Sequence, residues 1–130
     1  MKGSKFQFSN PTLMNLTFEI NQKFQAPPDG TVDIQVSCHI NVKRDPGKNQ
    51  AVVELTVEAG NKNKEAPFMF KVTEGAQFKW EEEAKEIVDK LLRQNAPALL
   101  LGYIRPIVSV ITSSTPYGAY NLPFIDFTKD

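Results

Sequence analysis

A helix that is apolar around its whole circumference must be covered on every side. Residues 98–112 (ALLLGYIRPIVSVIT) come close to that condition. Leu99, Leu100, Leu101, Tyr103, Ile104, Ile107, Val108, Val110 and Ile111 wind nearly all the way round the helix axis. One small sheet covers one side only. At about 25 cal/mol per Å² of apolar area removed from water, the remaining surface is a strong incentive to find further cover. STPYGAYNLPFIDF follows directly, and there Pro116, Gly118 and Pro123 hold Tyr117, Tyr120, Phe124 and Phe127 outside regular structure. Together the two features predict self-assembly and an apolar groove suited to extended peptides.

Upstream the periodicity changes to two. Leu16, Phe18 and Ile20 alternate with Thr17, Glu19 and Asn21, the pattern of a half-buried strand, and QAPPDG at 25–30 breaks it. The clearest alternation puts Val32, Ile34, Val36, Cys38, Ile40 and Val42 on one face. A DPGKN turn at 45–49 leads to a strand at 50–59 with Val53, Leu55, Val57 and Ala59 inward. After a second turn at 60–63, Phe68, Phe70 and Val72 alternate with Met69, Lys71 and Thr73. Short connections imply an antiparallel meander with one wet face.

Residues 81–94 predict a helix with acids in its first turn and Ile87, Val88, Leu91 and Leu92 as its apolar stripe. Asn95-Ala96-Pro97 should end it, because the residue before a proline resists the α region. A second helix is expected at 98–113, with Pro106 in its early turns or kinking it. The expectation is therefore one α+β domain over 1–130: a four-stranded antiparallel sheet followed by two helices packed on one face. Its parts are a flexible segment 1–12, the sheet at 13–73, helices at 81–114 and an aromatic loop at 115–130.

Composition narrows the function classes. Fifteen basic side chains balance 15 acidic ones, so no global charge draws the chain to nucleic acid or an anionic membrane. By inspection no run approaches the roughly 20 apolar residues of a membrane span. Cys38 stands alone, which excludes an intrachain disulfide and points to a reducing, cytoplasmic compartment. His39 is the only histidine, and as its strand neighbour it points away from Cys38, so a Cys–His dyad is geometrically poor. No second histidine or cysteine completes a zinc site, and Glu81-Glu82-Glu83 splay around a helix axis. No phosphate-binding glycine loop stands out. The reading is of a non-enzyme without metal or cofactor.

Three segments resemble the SecB family of bacterial export chaperones. Leu16-Thr17-Phe18-Glu19 resembles the family's first strand. FMFKVTEGAQF at 68–78 resembles its fourth strand and the glycine-containing bend that follows. Residues 95–127 resemble the long-helix segment, including Tyr103 and Arg105, and the loop ending in NLPFIDF. The likeness runs from about Leu13 onward. It implies an ATP-independent holdase that keeps unfolded polypeptides in apolar grooves and assembles as a dimer or as a tetramer of two dimers. It also implies client contacts at Phe18, Tyr117, Tyr120, Leu122, Phe124 and Phe127. Tyr103, Ile104, Ile107, Val108 and Ile111 would fall at interfaces between copies, and Glu19 on a sheet face that meets the motor SecA.

Departures from the family pattern favour holding over delivery. Export members are acidic, whereas this chain is neutral, with Asn15 and Lys71 where acids are expected. Export members continue into a second C-terminal helix and tail, while this sequence reaches Asp130 just after the loop. Some relatives instead guard an antitoxin, and that role is the alternative reading. From the residues alone, a small hydrophobic-ligand carrier or an adaptor without client are the rivals.

Overall fold

β5 is apolar at every second position from Phe68 to Trp80 but for Glu74, and the domain is organised to cover that face. The computed structural model describes residues 5–30, 32, 34–60 and 66–129, with the side chain of residue 83 excepted. Five strands precede the helical region: β1 (Phe6–Phe8), β2 (Thr12–Ile20), β3 (Val36–Arg44), β4 (Gln50–Ala59) and β5 (Phe68–Trp80). All pair antiparallel: β3 with β4, β4 with β5, while β2 and β1 lie end to end along β5's other side.

This corrects the expected four-stranded meander. Only β3–β4–β5 is a meander. β2 crosses to the far side of β5 by the 21–35 connection, which makes a Greek-key order. The sheet also exceeds the expected 13–73 limits at both ends, and the segment expected to be flexible contributes β1. Phe6 holds β1 in place by stacking on Phe78 at 5.3 Å and on Trp80 at 6.5 Å. Gly75 does not bend the chain after a short strand; it sits within β5, opposite a bulge between Leu13 and Asn15. A side chain at Gly75 would press on Glu54 and Met14, so its smallness lets the strand continue. β3 starts at Val36, leaving Val32 and Ile34 in the crossover. The turn expected at 60–63 lies, beyond Gly60, outside the described residues.

The two expected helices are also corrected. A 3₁₀ turn (Glu82–Ile87), α1 (Val88–Lys90), a π turn (Leu91–Asn95) and α2 (Ala96–Ser113) follow one another without interruption. Pro97 falls in the first turn of α2, where a missing N–H is tolerated. The Ala96 N–H reaches back to the Leu91 carbonyl, and the wider turn makes room for the proline ring. Pro106 lies well inside α2 on the exposed side, and Gly102, four residues earlier, has open space around it. Water can therefore satisfy the carbonyl that the proline leaves unpaired. By length and composition the helical stretch Ala84–Ser113 could cross a membrane, contrary to the expectation from single apolar runs. Here Val88, Leu92, Ala96, Leu100, Leu101, Ile104 and Val108 pack on Val53, Leu55, Val57, Phe70, Val72 and Phe78 instead.

Glu74 is the exception in this core. It faces the helices between Leu13 and Leu55 in register, is 3 % exposed, and has no ion pair or side-chain hydrogen bond among the described residues. Burial raises its pKa. The folded chain thus binds this proton more tightly than the unfolded one. The associated stability is present at low pH and is lost as pH rises through the folded value. Glu74→Gln should therefore raise the urea midpoint at pH 8 more than at pH 4.5. Equal midpoint changes at the two pH values would show that Glu74 carries no such penalty.

Candidate functional site

The segment after α2 folds back along the helix as a strap, and three contacts hold it. At the helix end the buried Thr112 hydroxyl donates to the Val108 carbonyl at 2.7 Å and accepts the Tyr120 N–H at 2.7 Å. About two turns earlier, Arg105 donates to the Leu122 carbonyl at 2.5 Å and the Pro123 carbonyl at 2.9 Å. Between these carbonyls and the tied Tyr120, the Leu122 side chain enters the core, 5 % exposed. From Arg105 to Thr112 the helix rises about 10 Å. From Tyr120 to Pro123 a chain reaches about 10 Å only when drawn out, so the strap is extended here.

Aromatic rings join the strap to the sheet. Tyr120 lies 6.0 Å from Phe68 and 6.3 Å from Phe70, and Phe18 lies 5.7 Å from Phe68. The crossover starts from an anchored corner, where the Asn21 N–H donates to the Pro67 carbonyl at 2.9 Å and its side-chain amide to Ala66 at 2.7 Å. Phe24 then sets its edge against Tyr117 at 5.6 Å. Between crossover and strap lies an open cavity of about 180 Å³ lined by Val32, Ile34, Pro67, Phe68, Tyr117 and Tyr120 with Gly118 and Ala119. Among the described residues, no ionisable side chain other than the two tyrosines lines it. A second cavity of about 390 Å³ lies further along the strap, between Lys90, Gln94, Asn95 and Ala98 of the helices and residues 124–128. At its rim the Thr128 hydroxyl and N–H hold the Asp126 carboxyl below its usual pKa.

The expected contact residues separate. Phe18, Tyr117 and Tyr120 gather around Phe68 and the first cavity, while Phe124 and Phe127 line the second. Tyr117 is 47 % exposed and Phe124 is 87 % exposed, so both rings are open to a ligand. Leu122 is corrected: it anchors the strap from beneath and presents no surface. Ile104 and Val108 are corrected as well, since both are buried in the subunit's own core on the sheet side of α2. Tyr103 and Val110, at 43 % and 67 % exposed, face outward, with Ile107 and Ile111 half-covered beside them. Glu19 lies on the other face of the sheet, beside Thr17, Glu58 and Lys71. Glu58–Lys71 at 3.8 Å and Lys43–Glu54 at 3.9 Å pair opposite charges across that face.

Sequence reasoning missed Val32, Ile34 and Pro67 as groove walls, and Phe24 as the ring that packs against Tyr117. Val32 and Ile34 continue the alternation of β3, so periodicity counted them as strand. The only available signal was their position just after Pro27, Pro28 and Gly30.

An aromatic groove between two irregular segments is carried on a sheet and helix that share one core. Residues 4–129 match the family described as SecB, preprotein translocase subunit SecB, and the chain belongs to that family. It is 27 % identical over 129 residues to the protein-export protein SecB of Jannaschia sp. (strain CCS1), spanning 95 % of this chain and 75 % of that one. Its fold is similar to a SecB-like chaperone of Mycobacterium tuberculosis solved in complex with a ChAD peptide from an antitoxin. There the TM-score is 0.73 at 15 % identity, covering 93 % of this chain and 91 % of the other. A protein of unknown function from Streptococcus agalactiae also matches, with a TM-score of 0.54 at 11 % identity over 95 % of this chain and all of the other, 100 %.

Arg105 ties the middle of the strap to α2. Arg105→Met keeps the aliphatic stem but removes both bonds, and should cost about 1–3 kcal/mol in chemical denaturation. Amide exchange should quicken at residues 119–127 while β4 and β5 stay protected. Unchanged strap exchange would show that Leu122 and the Thr112–Tyr120 bond suffice to hold it.

Proposed function

We propose that this chain is an ATP-independent holdase of the cytoplasm, which keeps unfolded or extended polypeptide segments in the groove between crossover and strap. The observation that carries this reading is the first cavity: its walls stay open in the folded chain and offer aromatic and aliphatic contact from Val32, Ile34, Phe68, Tyr117 and Tyr120. Extended peptides gain affinity from apolar pockets and from pairing of backbone groups, and adaptable apolar walls accept many sequences.

Dedicated antitoxin segments are a client class within the same reading, because the solved relative holds such a peptide. Delivery to SecA is less well supported, since Glu19 shares its face with the paired charges of Glu58 and Lys71. Copies of the chain associate, on this proposal, through the outward face of α2, where Tyr103, Ile107 and Val110 leave apolar surface in water.

Two experiments test these statements. The chain should suppress aggregation of a chemically unfolded protein without nucleotide, and Tyr117→Ala should weaken that suppression several-fold with little change in stability. Full activity in Tyr117→Ala would remove the groove from the account. Val110→Glu should lower the mass seen by light scattering while leaving the fold intact, because an unpaired charge in an apolar interface costs about 2–4 kcal/mol or more. An unchanged mass would exclude this face. Val108→Asp is unsuitable for the purpose, since it would break the subunit's own core.

A further inference from the structure

Phe24 is out of keeping with its neighbours. Residues 22–30 (QKFQAPPDG) are polar, small, proline or glycine but for this one ring. Phe24 is also the one residue of that stretch that is partly covered; the others are exposed. The ring it meets is Tyr117, edge to face, with centroids 5.6 Å apart and planes at 89°. Among the described residues, neither ring belongs to the hydrophobic core or to the apolar side chains packed against it. Tyr117 lines the first cavity, whereas Phe24 touches that ring without being part of the cavity wall. The contact therefore serves neither the core nor the shape of the cavity.

Each ring is mounted on a turn of its own. The Phe24 N–H donates to the Asn21 carbonyl at 3.1 Å, and the Lys23 N–H to Asn21 Oδ1 at 3.1 Å. Asn21 is itself fixed to Ala66 and Pro67 at the start of β5. Across the groove the Tyr117 N–H donates to the Thr115 hydroxyl at 3.2 Å. That hydroxyl donates to the Thr112 carbonyl at 2.7 Å, at the end of α2. Neither mount uses the other, so the rings can part by rotation of their side chains while both backbones stay in place. Such rotations take picoseconds to nanoseconds at a surface, far faster than a polypeptide arrives.

We propose that Phe24 is a built-in competitor for the client: it occupies one side of the Tyr117 ring in the empty chain and gives way when a client ring takes that place. This autoinhibitory contact rests on the holdase reading and adds a control to the same site. An edge-to-face pair favours the occupied over the free ring by about two- to tenfold. A client that needs Tyr117 then binds with an affinity lowered by the fraction of time the ring is free. Weak apolar contacts are discounted by that factor, and a client with several contacts overcomes it. A ring that walled the groove, or that held Tyr117 in position for the client, would have the opposite consequence, because its removal would weaken binding. The sign of one substitution separates the two.

The test uses the full chain and a soluble, unstructured peptide of polar residues with several Phe and no Trp. With the fluorescently labelled peptide, anisotropy should show Phe24→Ala binding about three- to tenfold more tightly than the unsubstituted chain. The gain should lie in the association rate, with dissociation unchanged. In a Tyr117→Ala background Phe24→Ala should bring no gain, since the ring it competes for is gone. Phe24→Trp gives a second readout with the unlabelled peptide. Its emission, taken as the difference from the unsubstituted chain with its buried Trp80, should shift to the red as peptide saturates and the indole is released to water. Should Phe24→Ala fail to fold, that shift decides alone. Weaker or unchanged binding of Phe24→Ala, a gain that persists without Tyr117, or a blue shift in Phe24→Trp overturns the competitor and leaves the holdase reading standing. If neither the unsubstituted chain nor Phe24→Ala binds the peptide, both are overturned.

Discussion

Burial of one face of β5 is the constraint on which the other elements depend. That face runs from Phe68 to Trp80 and is apolar but for Glu74. A strand of this length needs neighbours on both edges and a cover along its whole extent. β4 supplies one edge, β2 and β1 in line supply the other, and the helical stretch runs back over the top. Interruption of that stretch at Asn95–Pro97 would have left half the strand uncovered. A π turn instead carries the chain past the proline with its apolar side still facing the sheet.

Cover on this scale leaves a defined remainder. Leu100, Ile104 and Val108 are used inside the subunit, while α2 turns Tyr103, Val110 and parts of Leu99, Ile107 and Ile111 outward. At the start of β5, Tyr120 of the irregular strap adds its ring to the cover of Phe68 and Phe70. The groove exists because irregular chain covers that end imperfectly. Arg105 and Thr112 hold the strap by its backbone, which frees its side chains to line the cavities. Rigid scaffold and adaptable wall are thus separated along the chain.

On the opposite face of the sheet, charge is paired locally, Lys71 with Glu58 and Lys43 with Glu54. Exposed pairs of this kind contribute little stability, on the order of 0–1 kcal/mol each. Their consequence is for recognition, since they leave no uniform field for a highly charged partner. The inner and outer faces therefore differ in kind: one carries the aromatic groove, the other a surface of mixed, locally paired charge.

Much of this was legible from the residues in order. Alternation marked the inward positions of β4 and the later half of β3, since a period of two leaves no choice of face once one face is buried. The apolar circumference of residues 98–112 announced a central helix, and the Pro and Gly spacing of 115–128 announced an irregular aromatic segment. Strand order was not legible, because pairing β2 with β5 rather than β3 depends on which edge is left unsatisfied after the meander forms. Nor was the division of α2 into Ile104 and Val108 within and Tyr103 and Val110 without, because a stripe apolar all round does not state which side meets the sheet. Val32 and Ile34 became groove wall, and Leu122 became anchor, for the same reason: local pattern sets what a side chain prefers to touch, and only the tertiary packing supplies what is there to be touched.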